Sequence, residues 1–262
     1  MIIVVTNTFG ITAGRIVKTI KELHPEQDIR LVEHYAGVKK IKTKSGDTVF
    51  GWGTPHILTT SECTIYNRTP HNKLSQLLAM RRSAEFQVPL VFPRRDADIF
   101  AVPDDGRKIL LARKDGLFGG AGITICKTRD DVLRAVEHGC DFFEEYIPKI
   151  KEYRVHVCFG KAIGVSYKIP AHLNDVVWNN TAGGRQNILR NHTLFVVLSN
   201  IGKEAVKTVG YDYGAVDIIM DKYGRFYVLE VNSAPALKGM EGYPMENRIR
   251  SWAESFWRKA ND

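Results

Sequence analysis

The sequence predicts a mixed α/β (α+β) protein, and three observations predict it. The chain opens with a strand-like run, a helical pattern and a second strand-like run. Its middle alternates short strands with capped helices around a glycine-rich loop. It closes on a β-hairpin followed by an amphipathic helix. With 262 residues it is long enough for one large domain or two to three small lobes with a real core.

In order, MIIVVTN is an apolar run with the pattern of a buried strand. ITAGRIVKTIKELHP carries apolar residues at helical spacing and stops at His24-Pro25. DIRLVEHY reads as the next strand, so a small α/β lobe is expected to reach about residue 70. TNTFG is not GxGxxG, and the opening holds no dinucleotide fingerprint. HNKLSQLLAMRRSAEF predicts a helix packed through Leu74, Leu77, Leu78 and Met80. VPLVFP predicts a strand closed by Pro93, and KILLARKDGLFGGAGITICKT a strand, a glycine-rich loop and a strand. TRDDVLRAVEHG predicts a helix capped by Thr128 and stopped by Gly139. DFFEEYIPKIKEYRVHVCFGKAIGVSYKI reads as a strand, a connection and a hairpin pair. LFVVLSNIGKEAVKTVG is helical, GAVDIIMDKYGRFYVLEVN a hairpin, and MENRIRSWAESFWRKA an amphipathic helix.

Composition narrows the class. Apolar content of 44% and charged content of 25% are those of a globular protein. No apolar run is long enough for a bilayer, and the first strand lacks the basic lead-in of a signal peptide, so the expected compartment is the cytoplasm. Cys63, Cys126, Cys140 and Cys158 are widely spaced without CxxC, which points to reduced thiols and not to zinc or disulfides. The net charge of +8 suits nucleotide phosphates or an acidic substrate. No zinc-finger spacing or run of basic residues points to nucleic acid.

The final hairpin raises a chemical question. If Asp221 to Gly224 connect its strands, Met220 pairs with Arg225 and Asp217 lies opposite Val228. Asp217, Glu230 and Asn232 then project to one side. Two carboxylates and an amide oxygen are hard ligands of the kind Mg²⁺ shares with phosphates; three solvent-facing polar side chains are the plainer alternative. DGLFGGAGI is a second clue. Gly116, Gly119, Gly120 and Gly122 allow successive N–H groups to face an anion, with Arg113 and Lys114 just before them. A glycine-rich hairpin turn accounts for the loop equally well. A third clue is EEYIPKIKEYRV, whose strand end could meet an adenine edge and whose Glu152 could meet ribose hydroxyls; taken by itself, a set of surface acids is the plainer account.

Taken in this order, the pieces resemble the ATP-grasp proteins, closest to the RimK-like carboxylate–amine ligases, over about residues 72–242. The most specific stretch is YDYGAVDIIMDKYGRFYVLEVNSAPALKGMEG. The resemblance implies an ATP-grasp fold in residues 72–262, with a lid at about 94–146 and a C-terminal part at about 147–262, behind a small α/β lobe in residues 1–71. It implies that Asp217, Glu230 and Asn232 hold two Mg²⁺ ions, Mn²⁺ being an alternative. It implies phosphate contacts from Lys73, from Arg113 or Lys114, and from the loop glycines. Glu144, Glu145, Tyr146 and Ile147 match the adenine hinge, and Glu152 the ribose acid. Arg154, Lys168 and Arg185 are the implied catalytic cations, with Asn180 near the triphosphate.

The implied chemistry is ATP-dependent amide formation through an acyl phosphate. Its partners are ATP, a carboxylate substrate and an amine such as an amino acid, with a peptide or protein carboxylate as an attractive acceptor. Trp178-Asn179-Asn180 and Thr181-Ala182-Gly183-Gly184 depart from the family pattern, which leaves acceptor specificity open and keeps a catalytically silent ATP-binding module as the alternative.

Overall fold

The computed structural model describes residues 1–7, 10–33, 40–54, 57–68, 71–96, 108–117, 121–172, 175–178, 183–237 and 244–262. Three sheets organise them. The first is parallel, in the order β2-β1-β3-β4: β1 (Ile2–Thr6), β2 (Ile29–Glu33), β3 (Thr48–Trp52) and β4 (Thr64–Tyr66). The helix α1 (Ile11–Leu23) links β1 to β2, and β1 is buried along its whole length. This is the expected β-α-β opening, extended by two further strands.

The second sheet is small and antiparallel, in the order β5-β8-β6-β7: β5 (Val91–Pro93), β6 (Leu110–Arg113), β7 (Thr124–Cys126) and β8 (Phe142–Glu145). The helix α3 (Arg129–Glu137) packs on it through Val132 and Ala135. Thr128 and Asp131 form the reciprocal cap at its start. Gly139 ends the turn beyond it at φ 78°.

The third sheet is antiparallel, in the order β11-β10-β9-β12-β13: β9 (Lys149–Cys158), β10 (Lys161–Ile169), β11 (Arg185–Ile188), β12 (Tyr213–Asp221) and β13 (Phe226–Asn232). One face is apolar. Val155, Val157, Val216, Ile218 and Val228 are fully buried there against α2 (Lys73–Met80) and α4 (His192–Thr208). Each contributes roughly 1.5–3 kcal/mol of transfer free energy. Gly202 lets α4 come close: a Cβ there would stand 2.7 Å from Val155 Cγ1. The helix α5 (Met245–Asn261) covers one end of the opposite face through Trp252 and Phe256, and also packs against α1.

Two expectations need correction. The helix after His71 ends at Met80, because the chain then leaves it so that Gln87 can bridge to Tyr227 and accept the Val228 N–H at 2.8 Å. Its packed face is Leu77 and Met80 with Leu74 beside them; Leu78 is exposed. The last hairpin also has a different register. Met220 pairs with Phe226, and a bulge at Leu229 then places Asp217 opposite Glu230. Asp221 N–H donates to Arg225 O, so three residues form the turn, with Gly224 at φ 78°. The turn and the bulge each shift the pairing by one residue. Two shifts restore the original face, so Asp217, Glu230 and Asn232 still share a side.

Candidate functional site

A cleft of about 410 Å³ is lined from both antiparallel sheets. Strand pairing builds its floor. Glu152 pairs with Lys168, Arg154 with Asp217, and Asp217 with Glu230. Facing residues share a side, as do residues two apart. The charged face is therefore the alternate set of the strands whose other set makes the core.

The ion pairs on this floor are continuous. Arg154 grips Asp217 with both ends of its guanidinium, Nε donating to Oδ1 and Nη2 to Oδ2, each at 2.7 Å. Lys168 Nζ donates to Asp217 Oδ2 at 3.0 Å and to Glu152 Oε1. Lys149 Nζ donates to the other Glu152 oxygen and, at 2.9 Å, to the Val176 carbonyl. It also lies 5.0 Å from the Trp178 ring centre. Burial acts most strongly on Asp217 and opposes its charge, yet Arg154 and Lys168 together hold the carboxyl well below the usual carboxylate range. Burial also opposes charge on Lys168 and Arg154, and Asp217 reverses it, leaving both pKa values raised. For Lys149 burial prevails and lowers the pKa, although Glu152 pulls the other way.

A second knot joins the elements above. Lys73 begins α2, whose N-terminus is capped by Asn72 accepting the Ser75 N–H at 2.8 Å. Its Nζ lies 3.3 Å from Glu230 Oε2 and 3.9 Å from Glu144 Oε2. Arg113 Nη1 donates to that same Glu144 oxygen at 3.1 Å. Asn232 Nδ2 donates to Glu230 Oε1 at 2.9 Å. Burial would raise the Glu230 pKa, but Lys73 foremost among its neighbours brings it below its ordinary value.

The structure places the remaining expected residues unequally. Arg113 lines the cleft, whereas Lys114, just past the end of β6, is exposed and does not line it. Gly122 has φ 70°, a left-handed backbone conformation that favours glycine. Gly119, Gly120 and Asn180 lie outside the described residues. Glu145, Tyr146 and Ile147 line the cleft. The Glu145 N–H already donates to Leu90 O at 2.8 Å and the Tyr146 N–H to Ile109 O at 2.9 Å. Both Glu152 oxygens are held by lysines. Arg185 is exposed and does not line the cleft; its neighbour Gln186, paired with Lys168, does.

Sequence reasoning missed Lys149 as a site residue. Lys149 and Glu152 are three apart, which puts them on opposite faces of a regular strand. Met220 pairs with Lys151 and Asp221 with Lys149, so Ile150 is an extra residue that turns Lys149 to the Glu152 side. Gln76 was also missed. It accepts the Val231 N–H at 2.9 Å and donates to His71 O at 3.2 Å, fastening α2 beside Glu230.

The fold is that of the ATP-grasp ligases. Among solved structures the chain is similar to the ATP-grasp ligase PsnB complexed with minimal precursor, at 14% identity and a TM-score of 0.68, over 98% of this chain and 99% of that one. PsnB is also known complexed with minimal precursor, Mg and ADP. The macrocyclase MdnC bound with precursor peptide MdnA, from Microcystis aeruginosa MRC, matches at 13% identity and 0.66, over 99% of this chain and 100% of that one. D-alanine–D-alanine ligase from Bacillus anthracis matches at 13% and 0.57, over 99% and 98%. No protein-family model and no curated protein matches the chain.

Among the described residues no three His, Cys, Asp or Glu side chains gather around a common point. The oxygen donors are Asp217 and its cross-strand partner Glu230, joined by the Asn232 amide. Their charges are balanced by Arg154, Lys168 and Lys73. This set fits Mg²⁺ that completes its shell with phosphate oxygens and water.

Proposed function

We propose that the protein is an ATP- and Mg²⁺-dependent carboxylate–amine ligase, of the RimK-like kind in its sequence pattern. The observation that carries this reading is the charge inventory of the cleft. Five cations (Lys73, Arg113, Lys149, Arg154, Lys168) meet five carboxylates (Glu144, Glu145, Glu152, Asp217, Glu230), a balanced set whose cations can turn to a polyanion when its carboxylates turn to Mg²⁺. Lys73 and Arg113 converge from separate elements and are positioned for phosphate oxygens. Asp217, Glu230 and Asn232 would hold Mg²⁺, which offsets charge as one anion approaches another.

In the proposed reaction a substrate carboxylate oxygen attacks the γ-phosphorus of ATP. The bond to the β,γ-bridging oxygen breaks and ADP leaves. The amine nitrogen then attacks the acyl carbon, the acyl C–O bond to phosphate breaks, and the nitrogen loses a proton. Arg154 and Lys168 would steady the attacking carboxylate, and the Leu117 and Ile123 side chains lining the cleft would help exclude water from the acyl phosphate. The precursor peptides bound to PsnB and MdnC support a peptide or protein carboxylate as acceptor, and the +8 charge favours an acidic one. Incubation with ATP, Mg²⁺, acidic peptides and an amino-acid mixture should sustain ADP release over many turnovers only when acid and amine are both present. Glu230→Gln should abolish that release; undiminished turnover would remove the metal assignment.

A catalytically silent ATP-binding module is the second reading. It is favoured by the way both Asp217 oxygens are already taken by the chain's own cations. Binding of Mg·ATP without ADP formation across the acceptor set would select it.

A further inference from the structure

A second cavity, of about 160 Å³, lies beside the cleft. The strand register locates it. His156, Ser166 and Ile188 line it, and each stands two residues along its strand from a residue of the cleft: Arg154, Lys168 and Gln186 respectively. Two residues of strand span about 7 Å.

The walls of this cavity are largely apolar, with Ile163, Ile188 and Trp252 among them. Two of its lining side chains are strongly polar and almost fully buried: His156 is 3% exposed and Arg248, from α5, is 5% exposed. Arg248 Nη2 meets His156 Nε2. A guanidinium can only donate, so Nε2 accepts and the ring proton resides on Nδ1. Among the described residues that Nδ1–H has no hydrogen-bond partner. Burial, with Arg248 and then Arg154 behind it, drives the imidazole pKa far down and keeps the ring neutral. A buried donor left unpaired is costly, and here it lies in a pocket that also holds a buried guanidinium, two strand residues from the lining of the cleft.

We propose that this cavity is a substrate subsite for a carboxylate on a short apolar stem, the far end of an acid whose reacting carboxylate lies at Arg154. The word substrate rests on the ligase reading; the anion site itself does not. The spacing of about 7 Å between the two positions, and room for about five heavy atoms at roughly 30 Å³ each, match a dicarboxylate of adipate length. The apolar walls would take the methylenes, and the Arg248 and His156 end would take the charge.

The test is a titration of the full chain with adipate, using uncharged adipamide as control, read by the imidazole ¹⁵N and N–H signals of His156. Adipate should move the His156 Nδ1 signal and adipamide should not. Ser251→Leu fills the cavity from α5 without touching its polar pair, and should weaken adipate about tenfold or more, the loss of a charge-assisted contact. Arg248→Met should do the same; should it fail to fold, Ser251→Leu carries the test. Mg·ATP affinity, measured on the same samples, should be unchanged. Adipate that leaves His156 unmoved, or binds Ser251→Leu as tightly as wild type, overturns the subsite even where Mg·ATP binds. Adipate binding at His156 without Mg·ATP binding keeps the anion site and removes the ligase reading.

Discussion

The two faces of the central sheet are written by alternate residues of the same strands and obey opposite rules. On one, Val155, Val216, Ile218 and Val228 meet α2 and α4 with no charge among them. On the other, Glu152, Arg154, Lys168 and Asp217 form a nearly continuous chain of ion pairs. The apolar face gains from every methylene it buries. The charged face gains little, since desolvation offsets much of the attraction within a buried pair. Its residues are better explained by what they can release to a ligand than by what they contribute to the fold.

That contrast can be broken at its strongest point. Asp217→Ala leaves Arg154 and Lys168 buried without their shared partner and should cost about 3–5 kcal/mol of stability, together with all turnover. Chemical denaturation and ADP release would check both. The same carboxylate predicts an acid limb. Its folded pKa lies below its unfolded value, so its contribution is complete above about pH 5 and disappears as pH falls through the folded value. Denaturation midpoints followed from neutral pH into acid should decline less steeply in Asp217→Ala than in wild type.

The opposite face should separate stability from chemistry. Ile218→Ala should cost about 2–5 kcal/mol through the cavity it leaves, while turnover measured well below the melting point stays within about twofold of wild type. Gly202→Ala puts a methyl against Val155, so overpacking of about 1–3 kcal/mol should exceed the gain in helix propensity of about 1 kcal/mol. A more stable variant would show that α4 can back away from the sheet. The smallest pair sharpens the site. Arg113→Ala should weaken Mg·ATP about tenfold, as loss of a charged hydrogen bond would. Lys114→Ala should leave affinity unchanged and alter stability by no more than about 0.5 kcal/mol; calorimetric titration distinguishes them.

Much of this was legible in the sequence because strands alternate and helices announce their ends. Thr128, Gly139 and the polar trio on the last hairpin all follow from local rules. The register of that hairpin was not legible, since a bulge at Leu229 has no signature in composition. The trio kept its face because two single-residue shifts cancelled. No such cancellation helped at Ile150, where one extra residue swung Lys149 into the cleft. The meeting of Arg248 with His156 joins positions 92 residues apart, and no local pattern encodes it. The choice between Arg113 and Lys114 needed the cleft itself, since alternation says only that they differ.

The aromatic cluster that joins β3, β12 and α5 has a bearing on how the chain is made. Phe50 stacks on Phe256 with ring centres 4.4 Å apart, and Trp52 meets Trp252 edge-on at 5.1 Å. One side of the parallel sheet is thus covered by α1, its neighbour in sequence, together with α5, which is made much later. Until Met245–Asn261 leaves the ribosome, Phe50 and Trp52 lack Phe256 and Trp252, and a nascent chain in this condition is a natural client for a holding chaperone.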